Sequence, residues 1–162
     1  MKTFKIPSFL LVAISFVVIA TNAQNSQQDF LNTHNSARAL VGVANIVWDT
    51  TVAAYASNYA NARKADCNLT PSGGPFGENL AKGNGATLTG VAAVNLWVAQ
   101  KNDYTYTSNS CTVGKVCKHY TQVVWSNSVK LGCARVLCNN NVDYFVSCNY
   151  DAPGNQPGEY PY

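Results

Sequence analysis

Residues 117–125 read CKHYTQVVW and contain one of the chain's two histidines, His119. A tyrosine, two valines and a tryptophan follow at spacings that suit one packed wall, so the run predicts a short helix at the floor of a cleft. Upstream, residues 72–80 read SGGPFGENL. The glycines predict a tight turn into a short buried strand that carries one acid, Glu78. We therefore take His119 and Glu78 as the candidate site.

The first 23 residues have the pattern of a secretory signal peptide. Lys2 and Lys5 precede an apolar run over residues 9–20, and Ala23 is a small residue at the expected cleavage point. The run is too short to span a membrane and has no polar face, which argues against a buried amphipathic helix. We expect residues 24–162 to form the mature, extracellular chain.

Composition predicts one folded domain with no nucleic-acid partner. The chain is 47% hydrophobic and only 12% charged, which is enough apolar content for a real core at 162 residues. Without the leader, nine basic residues face eight acidic ones, a net charge of +1. Binding to nucleic acid depends on many phosphate contacts, and this charge is too small to supply them. A monomer is expected.

All six cysteines lie in the mature part, and an even count in a secreted domain predicts three disulfides. The sequence alone allows fifteen connectivities. Spacing favours two local loops, Cys111–Cys117 and Cys138–Cys148, which leaves Cys67–Cys133 by elimination. A zinc site built from these thiols is disfavoured because the chain has no CxxC pair.

Periodicity predicts helices before strands. Apolar residues recur at helical intervals from residue 26 or 27 to 40, with Ser26 as N-cap and Gly42 as a stop. A second helix is expected from a Thr50 cap to about residue 66, and a third from Thr87 or Thr89. Two strands, 131–138 and 144–150, follow the short helix at 119–125. Helices with a few antiparallel strands predict an α+β domain.

Several residues have both an ordinary structural interpretation and a functional one. His34 is expected to be a packed, hydrogen-bonded core residue. Tyr55 and Tyr59 lie on the second helix and are either core or a binding face. Asn68 begins the only N-glycosylation sequon, but Pro71 directly after it makes a poor acceptor. Glu78 and His119 are either a hydrogen-bonded pair that holds loop to helix or a ligand contact.

The stretches SGGPFGENL, HNSAR at residues 34–38 and CKHYTQVVW resemble the plant pathogenesis-related protein 1 family. This family is a branch of the CAP superfamily of cysteine-rich secretory proteins, antigen 5 and pathogenesis-related proteins. The resemblance covers essentially the whole mature chain. It implies a three-layer α-β-α sandwich with a small antiparallel sheet, and it is taken to imply the same three disulfides.

The resemblance also identifies where this chain departs from its relatives. In the superfamily two histidines and two glutamates can hold zinc or another divalent ion, and their positions here are Pro71, Glu78, Gln100 and His119. Plant relatives have histidine at the first of these and glutamate at the third. One imidazole and one carboxylate remain, so we expect weak metal binding through Glu78 and His119 at best, and no cofactor.

The paired loss keeps the charge balance of the quartet, since one basic and one acidic group are missing. We expect Gln100→Glu alone to destabilise the fold by pressing two carboxylates together, and the addition of Pro71→His to restore zinc uptake. A hydrolase with His119 as base is the alternative, but the chain has no Gly-x-Ser-x-Gly elbow and its cysteines are expected to be oxidised. We therefore expect no enzyme activity.

The function implied by the resemblance is that of a secreted plant defence protein of the apoplast, acting against fungi or oomycetes. Relatives bind sterols and other small lipids, and an apolar crevice walled by Phe76, Tyr55 and Tyr59 would suit such a ligand. The tail over residues 152–162 is similar to a segment from which a signalling peptide is cut, although Ala152 replaces the usual proline. Its prolines and glycines predict an extended, accessible segment; the alternative is a tail packed over the domain. A receptor for that peptide and pathogen effectors are the other expected partners.

Overall fold

The computed structural model describes residues 24–85 and 87–162, so the predicted signal peptide lies outside the described residues. Four α-helices are α1 (Gln27–Ala39), α2 (Thr50–Ala62), α3 (Gly90–Ala99) and α4 (Lys118–Val123). Six strands are β1 (Val47–Trp48), β2 (Gly77–Asn84), β3 (Tyr104–Thr105), β4 (Ser110–Cys111), β5 (Lys130–Leu137) and β6 (Asp143–Asp151). Two 3-10 turns cover Gln100–Asp103 and Tyr106–Ser108. None of the helices in these ranges is long and apolar enough to cross a bilayer.

The central sheet has the strand order β1-β5-β6-β2. β5 and β6 form an antiparallel hairpin in which Leu137 faces Tyr144, and β2 is the antiparallel edge strand next to β6. β1 pairs parallel with the start of β5. A separate small antiparallel pair is made by β3 and β4. The expected α+β class is confirmed.

One face of the sheet is covered by α2. Its small residues allow a close approach, because a Cβ on Gly132 of β5 would lie 2.0 Å from the backbone nitrogen of Ala53. Ala60, Phe145 and the half-buried Leu80 form the apolar contact between these layers. Helix α2 therefore rests almost directly on the strand backbone.

The opposite face is covered by α1, α3 and α4, which pack on one another as well as on the sheet. The larger core lies here, and its fully buried members include Phe30, Val94, Trp97, Val146 and Tyr150. Two helical layers around one sheet give the predicted three-layer sandwich. The edge strand β2, which carries Glu78, packs against α4, which carries His119.

The helix boundaries follow the capping residues. Ser26 caps α1 as predicted, in a reciprocal capping box with Asp29, and Thr89, one of the two predicted starts, caps α3. The cap of α2 is Asp49, whose carboxylate accepts the N–H groups of Thr51 and Val52. The prediction of Thr50 was wrong by one residue because aspartate, like threonine, accepts these bonds well. Helix α2 ends at Ala62, earlier than expected.

The disulfides are Cys67–Cys138, Cys111–Cys117 and Cys133–Cys148. The predicted Cys111–Cys117 bond is confirmed, whereas Cys67–Cys133 and Cys138–Cys148 are wrong. The register of the hairpin explains the error, because it places Cys133 directly opposite Cys148, with Cα atoms 4.1 Å apart.

The sheet also separates the wrongly predicted partners. Cys133 and Cys148 belong to the core under α1, α3 and α4, whereas Cys67 and Cys138 belong to the core under α2. Since successive side chains of a strand point to opposite faces, Cys138 could not reach Cys148. It bonds instead to the end of α2, which the Cys67–Cys138 link fixes to the sheet.

Candidate functional site

His119 and Gln100 are in direct contact. His119 lies in the first turn of α4, and Gln100 follows the last residue of α3. Gln100 Nε2 lies 2.9 Å from His119 Nδ1, and Gln100 Oε1 accepts the backbone N–H of His119 at 3.2 Å. Gln100 Oε1 also lies 3.2 Å from Nδ1, so the donor in this contact is the amide NH₂ or the ring N–H according to the tautomer. In both tautomers Gln100 occupies Nδ1 of the ring.

The half-buried position of His119 keeps the ring neutral. Burial lowers the pKa of His119 below its ordinary value, because desolvation disfavours the imidazolium. Gln100 offers a neutral amide where a carboxylate would favour the charged ring. The site therefore presents an uncharged imidazole at neutral pH.

Glu78 makes its contacts with a different partner. Its Oε1 accepts the backbone N–H of Ser72 at 2.9 Å, and Asn149 Nδ2 lies 3.5 Å from its Oε2. Ser72 directly follows Pro71, so the carboxylate holds the loop that carries the replaced histidine position. Glu78 thus anchors the loop over residues 68–76 to the edge strand.

Glu78 and His119 are neighbours in the fold but not a hydrogen-bonded pair. No hydrogen bond joins them in the two described ranges, where Glu78 bonds to Ser72 and the His119 ring bonds to Gln100. The next residue on the strand, Asn79, donates its amide to the backbone carbonyl of His119 at 2.9 Å. The predicted hydrogen-bonded pair of Glu78 and His119 is therefore wrong: Glu78 ties the loop to strand β2, and Asn79 ties that strand to helix α4.

The donor set does not fit a zinc ion. A structural or catalytic zinc site uses three or four protein ligands. Across residues 24–85 and 87–162 no three His, Cys, Asp or Glu side chains are grouped to hold a metal. Pro71 has no side-chain donor, and the Gln100 amide occupies Nδ1 of His119. This arrangement disagrees with the zinc-binding quartet that the superfamily implies.

His119 is also not placed as the base of a nucleophile. In the described part of the chain the hydrogen bonds of its ring all go to Gln100. A serine or cysteine nucleophile needs hydrogen-bond contact with its base, and all six cysteines are in disulfides. The geometry therefore offers no activated nucleophile at this imidazole.

The three predicted lipid-binding aromatics lie along the loop that Glu78 anchors. The rings of Tyr55 and Phe76 meet edge to face at 5.2 Å, and the Tyr59 ring packs on Phe145 at 6.3 Å. The Tyr55 hydroxyl donates to Ser72 Oγ at 3.1 Å, and the Tyr59 hydroxyl donates to the carbonyl of Thr70. All three predicted aromatics are half-buried, so they hold the loop and still expose part of their rings.

The comparisons with known proteins agree with this architecture. Residues 31–150 match the family model described as the cysteine-rich secretory protein family, CAP. The chain belongs to this family. Pathogenesis-related protein 1A of Nicotiana tabacum is 58% identical over 98% of this chain and 96% of its own length. Pathogenesis-related protein 1 of Arabidopsis thaliana is 55% identical over 94% and 92%. The solved structure of venom allergen-like protein 4 of Schistosoma mansoni superposes with a TM-score of 0.66 at 27% identity, over 84% of this chain and 92% of that one.

Within this CAP domain, a buried polar chain positions the strand of Glu78. His34 Nε2 lies 2.9 Å from the Tyr150 hydroxyl, which also receives the Asn79 amide at 3.2 Å. Because the carbonyl of Phe30 can only accept from His34 Nδ1, at 2.8 Å, the Tyr150 hydroxyl donates to Nε2. The predicted structural role of His34 is confirmed.

Sequence reasoning did not identify Tyr150 or Asn79 in this role. They are 71 positions apart, and their contact depends on the pairing of β2 with β6. Asn79 directly follows Glu78 in the GENL run at residues 77–80, so the prediction of Glu78 as a site residue was the one sequence feature that pointed towards Asn79. No local pattern around Tyr150 distinguishes it from an ordinary core tyrosine.

The C-terminal tail of the CAP domain lies against α4 and the β3–β4 pair. The Ser126 N–H donates to the carbonyl of Pro161 at 2.7 Å, and the rings of Tyr162 and Tyr106 stack at 5.0 Å. Asn155 Oδ1 accepts the Thr121 hydroxyl at 2.5 Å. The tail is thus packed over the domain, which was the alternative interpretation of its sequence.

Three cavities border these elements. A cavity of about 280 Å³ lies between the tail, α4 and the β3–β4 pair, with Tyr104, Lys118 and Asn155 among its walls. An apolar groove of about 380 Å³ runs between α1 and α3, and another of about 480 Å³ lies between β2 and α3. None of the three includes Glu78 or His119.

Proposed function

We propose that this protein is a secreted plant defence protein that acts without catalysis, by binding a sterol or another small lipid. The observation that carries the defence role is the 58% identity to a tobacco pathogenesis-related protein over nearly the whole chain. Three disulfides support an extracellular location, because such bonds persist in oxidising compartments. The antifungal or anti-oomycete activity is part of the proposal.

The contact between Gln100 and His119 supports a non-catalytic role. It occupies one ring nitrogen with an amide, and burial keeps the imidazole neutral. General acid–base catalysis needs a proton donor or acceptor that is free to reach substrate. With Glu78 engaged by Ser72, both groups of the cleft are used to hold structure.

The lipid proposal rests on the exposed parts of the Tyr55 and Phe76 rings. Two aromatic rings in edge-to-face contact make a rigid, partly apolar wall, which suits the flat face of a sterol. The Tyr55 hydroxyl is already bound to Ser72, so the wall is preorganised rather than assembled on binding.

A titration with a fluorescent sterol tests this proposal. We expect a saturable signal whose affinity falls about tenfold in Phe76→Ser, since a buried aromatic contact is worth roughly 1–2 kcal/mol. Tyr160→Ser is the matched control, because this exposed tyrosine packs on Tyr106 and not on the loop. Thermal unfolding of each variant checks that the fold is kept.

The result also separates the candidate binding surfaces. No saturable signal with the native protein would remove the lipid proposal. Binding that survives Phe76→Ser but is lost in Val98→Trp, which fills the groove between α1 and α3, would move the ligand to that groove.

A further inference from the structure

The loop between Cys111 and Cys117 carries two solvent-exposed valines. Val113 is 99% exposed and Val116 is 57% exposed. Both are small branched aliphatics with no polar atom in the side chain, so each exposes apolar surface to water without a compensating hydrogen bond. Residues 112–116 are named the valine loop below.

The valine loop is held in shape rather than free to collapse onto the domain. The Cys111–Cys117 bond closes it with Cα atoms 5.5 Å apart, and Cys117 is buried at the start of α4. Inside it, the Lys115 N–H donates to the carbonyl of Thr112 at 2.9 Å, across a turn in which Gly114 has a φ of +77°. The valines are therefore presented on a fixed, convex tip.

Three lysines lie near the tip, together with the acidic residues Asp103 and Glu159. Lys115 and Lys118 are exposed, as is Lys101 on the 3-10 turn that packs against α4. None of the three takes part in an ion pair within the described ranges, where the lysines that do are Lys82 and Lys130. Their charges are available to an anionic partner.

We propose that the valine loop docks on an anionic lipid bilayer. Two exposed aliphatic side chains flanked by unpaired lysines match the two layers of a membrane surface, in which apolar chains lie beneath charged headgroups. The cavity next to α4 reaches Cys111 and Cys117 but includes neither Val113 nor Val116, so the two valines face solvent, where a lipid surface can receive them. The binding needs no sterol on the rings of Tyr55 and Phe76, so it is independent of the proposed function.

The number of valines and lysines in and around the loop also determines how strongly the protein would bind a membrane. Two valines and a few lysines give weak, reversible adsorption that falls as salt screens the charges. Neutralising one lysine near an anionic membrane lowers the partition coefficient about fivefold, which corresponds to roughly 1 kcal/mol per charge. The protein would thus sample membranes rather than remain on them.

Co-sedimentation with sterol-free vesicles tests the proposal. We expect the full mature protein to bind vesicles of phosphatidylcholine mixed with phosphatidylglycerol at low salt, and to bind phosphatidylcholine alone much more weakly. Val113→Asn and Lys115→Gln should each reduce the bound fraction several-fold. Val129→Asn, a valine that is 53% exposed elsewhere, and Lys64→Gln on the end of α2 are the matched controls.

A gain of binding provides a second readout. Val113→Trp should increase vesicle binding and shift the tryptophan emission to the blue when anionic vesicles are added, because tryptophan prefers the bilayer interface. No binding to anionic vesicles at low salt, or equal binding of loop and control variants, would overturn the proposal. The proposal would also be overturned, in favour of a protein partner, if the native protein bound an extracellular protein but no vesicles and Val113→Asn lost that protein contact.

Discussion

Two buried basic side chains connect the layers of this domain, and neither has a carboxylate partner among the hydrogen bonds described. The Arg38 guanidinium donates to the carbonyls of Ala44, Val123, Trp125 and Ser128 at 2.8–3.1 Å. Burial lowers the pKa of Arg38 to about 10, so it stays charged at neutral pH. His34 differs because burial lowers its pKa to about 4. The two residues share helix α1 but respond differently to acid.

His34 should make the protein sensitive to acid. Its pKa is about 4 in the folded state and about 6.5 when unfolded. The unfolded chain therefore binds more protons between these values, and the free energy of unfolding falls as pH decreases from about 6.5 towards 4. The shift corresponds to about 3 kcal/mol. Urea unfolding at a series of pH values measures this slope.

The matched comparison is His34→Gln, which keeps polar atoms but cannot titrate. Its stability should start from a lower value and fall less steeply over the same pH range, because His119, whose pKa burial also lowers, still contributes to the slope. Hydrogen bonds lower the pKa values of Asp29 and Asp49 below 3.8. These carboxylates therefore change stability at a lower pH than the range in which His34 acts. Equal slopes for the native protein and His34→Gln would contradict the assignment.

The contact between Gln100 and His119 changes the expected effect of Gln100→Glu. From the sequence, two carboxylates were expected to repel each other. In the structure the position 100 side chain faces the imidazole, and Glu78 is bound to Ser72. A carboxylate at position 100 should therefore raise the pKa of His119 above that in the native protein, because it favours the charged ring. An NMR titration of the His119 ring measures this shift.

The control for this change is Gln28→Glu, which adds the same charge at an exposed site on α1. It should leave the His119 titration unchanged. Adding Pro71→His to Gln100→Glu supplies the missing donors, and we expect calorimetry to detect zinc uptake by the double variant only. An unshifted ring would show that position 100 does not face the imidazole. Zinc binding by Gln100→Glu alone would show that no donor at position 71 is needed.

At the scale of elements, the C-terminal tail closes the domain next to α4. The carbonyl of Asp151 accepts the Val129 N–H at 2.8 Å, and that of Ala152 accepts the Ser128 hydroxyl at 2.6 Å. A protease that cuts before Ala152 would have to open the end of β6 first. Release of the segment over residues 152–162 stays a prediction, and it would require local unfolding.

Removing residues 152–162 should destabilise the domain. The truncated chain loses several tail hydrogen bonds and exposes Trp125, against which Gly154 packs. At about 1 kcal/mol net for each buried hydrogen bond, we expect a loss of about 2–3 kcal/mol and stronger acrylamide quenching. Gln156→Ala is the control, since its side-chain amide bonds to the carbonyl of Pro153 within the tail itself. Equal thermal stability of the truncated and full chains would contradict this role.

The elements of this fold were predictable where the signal is local. Capping residues such as Ser26 and Thr89 place helix starts, and alternation of apolar residues places β5 and β6. The contacts that depend on strand register were not predictable. The position of Cys133 opposite Cys148, and the link from Asn79 to Tyr150, follow from how three strands align.

The same limit applies to the site. A family resemblance identified positions 71, 78, 100 and 119, but it could not show which of them touch. The structure pairs Gln100 with His119 and binds Glu78 to the residue after Pro71. The side chains of Glu78 and Gln100 therefore make two separate anchoring contacts, where the family resemblance implies one shared centre.

At the scale of the whole molecule, the disulfides contribute unequal amounts to the free energy of unfolding. Cys67–Cys138 closes a loop with a sequence separation of 71 residues, whereas Cys111–Cys117 spans only 6. In the chain-entropy model these loops correspond to about 4 and about 2 kcal/mol. We expect the double variant Cys67→Ser/Cys138→Ser to lose roughly twice the stability lost by Cys111→Ser/Cys117→Ser in guanidinium unfolding. The first bond also joins α2 to the sheet, so its loss should free one whole layer, whereas loss of the second should loosen only the valine loop and weaken vesicle binding. An equal loss in both variants, or peptide mapping that finds Cys138 bonded to Cys148, would contradict this division.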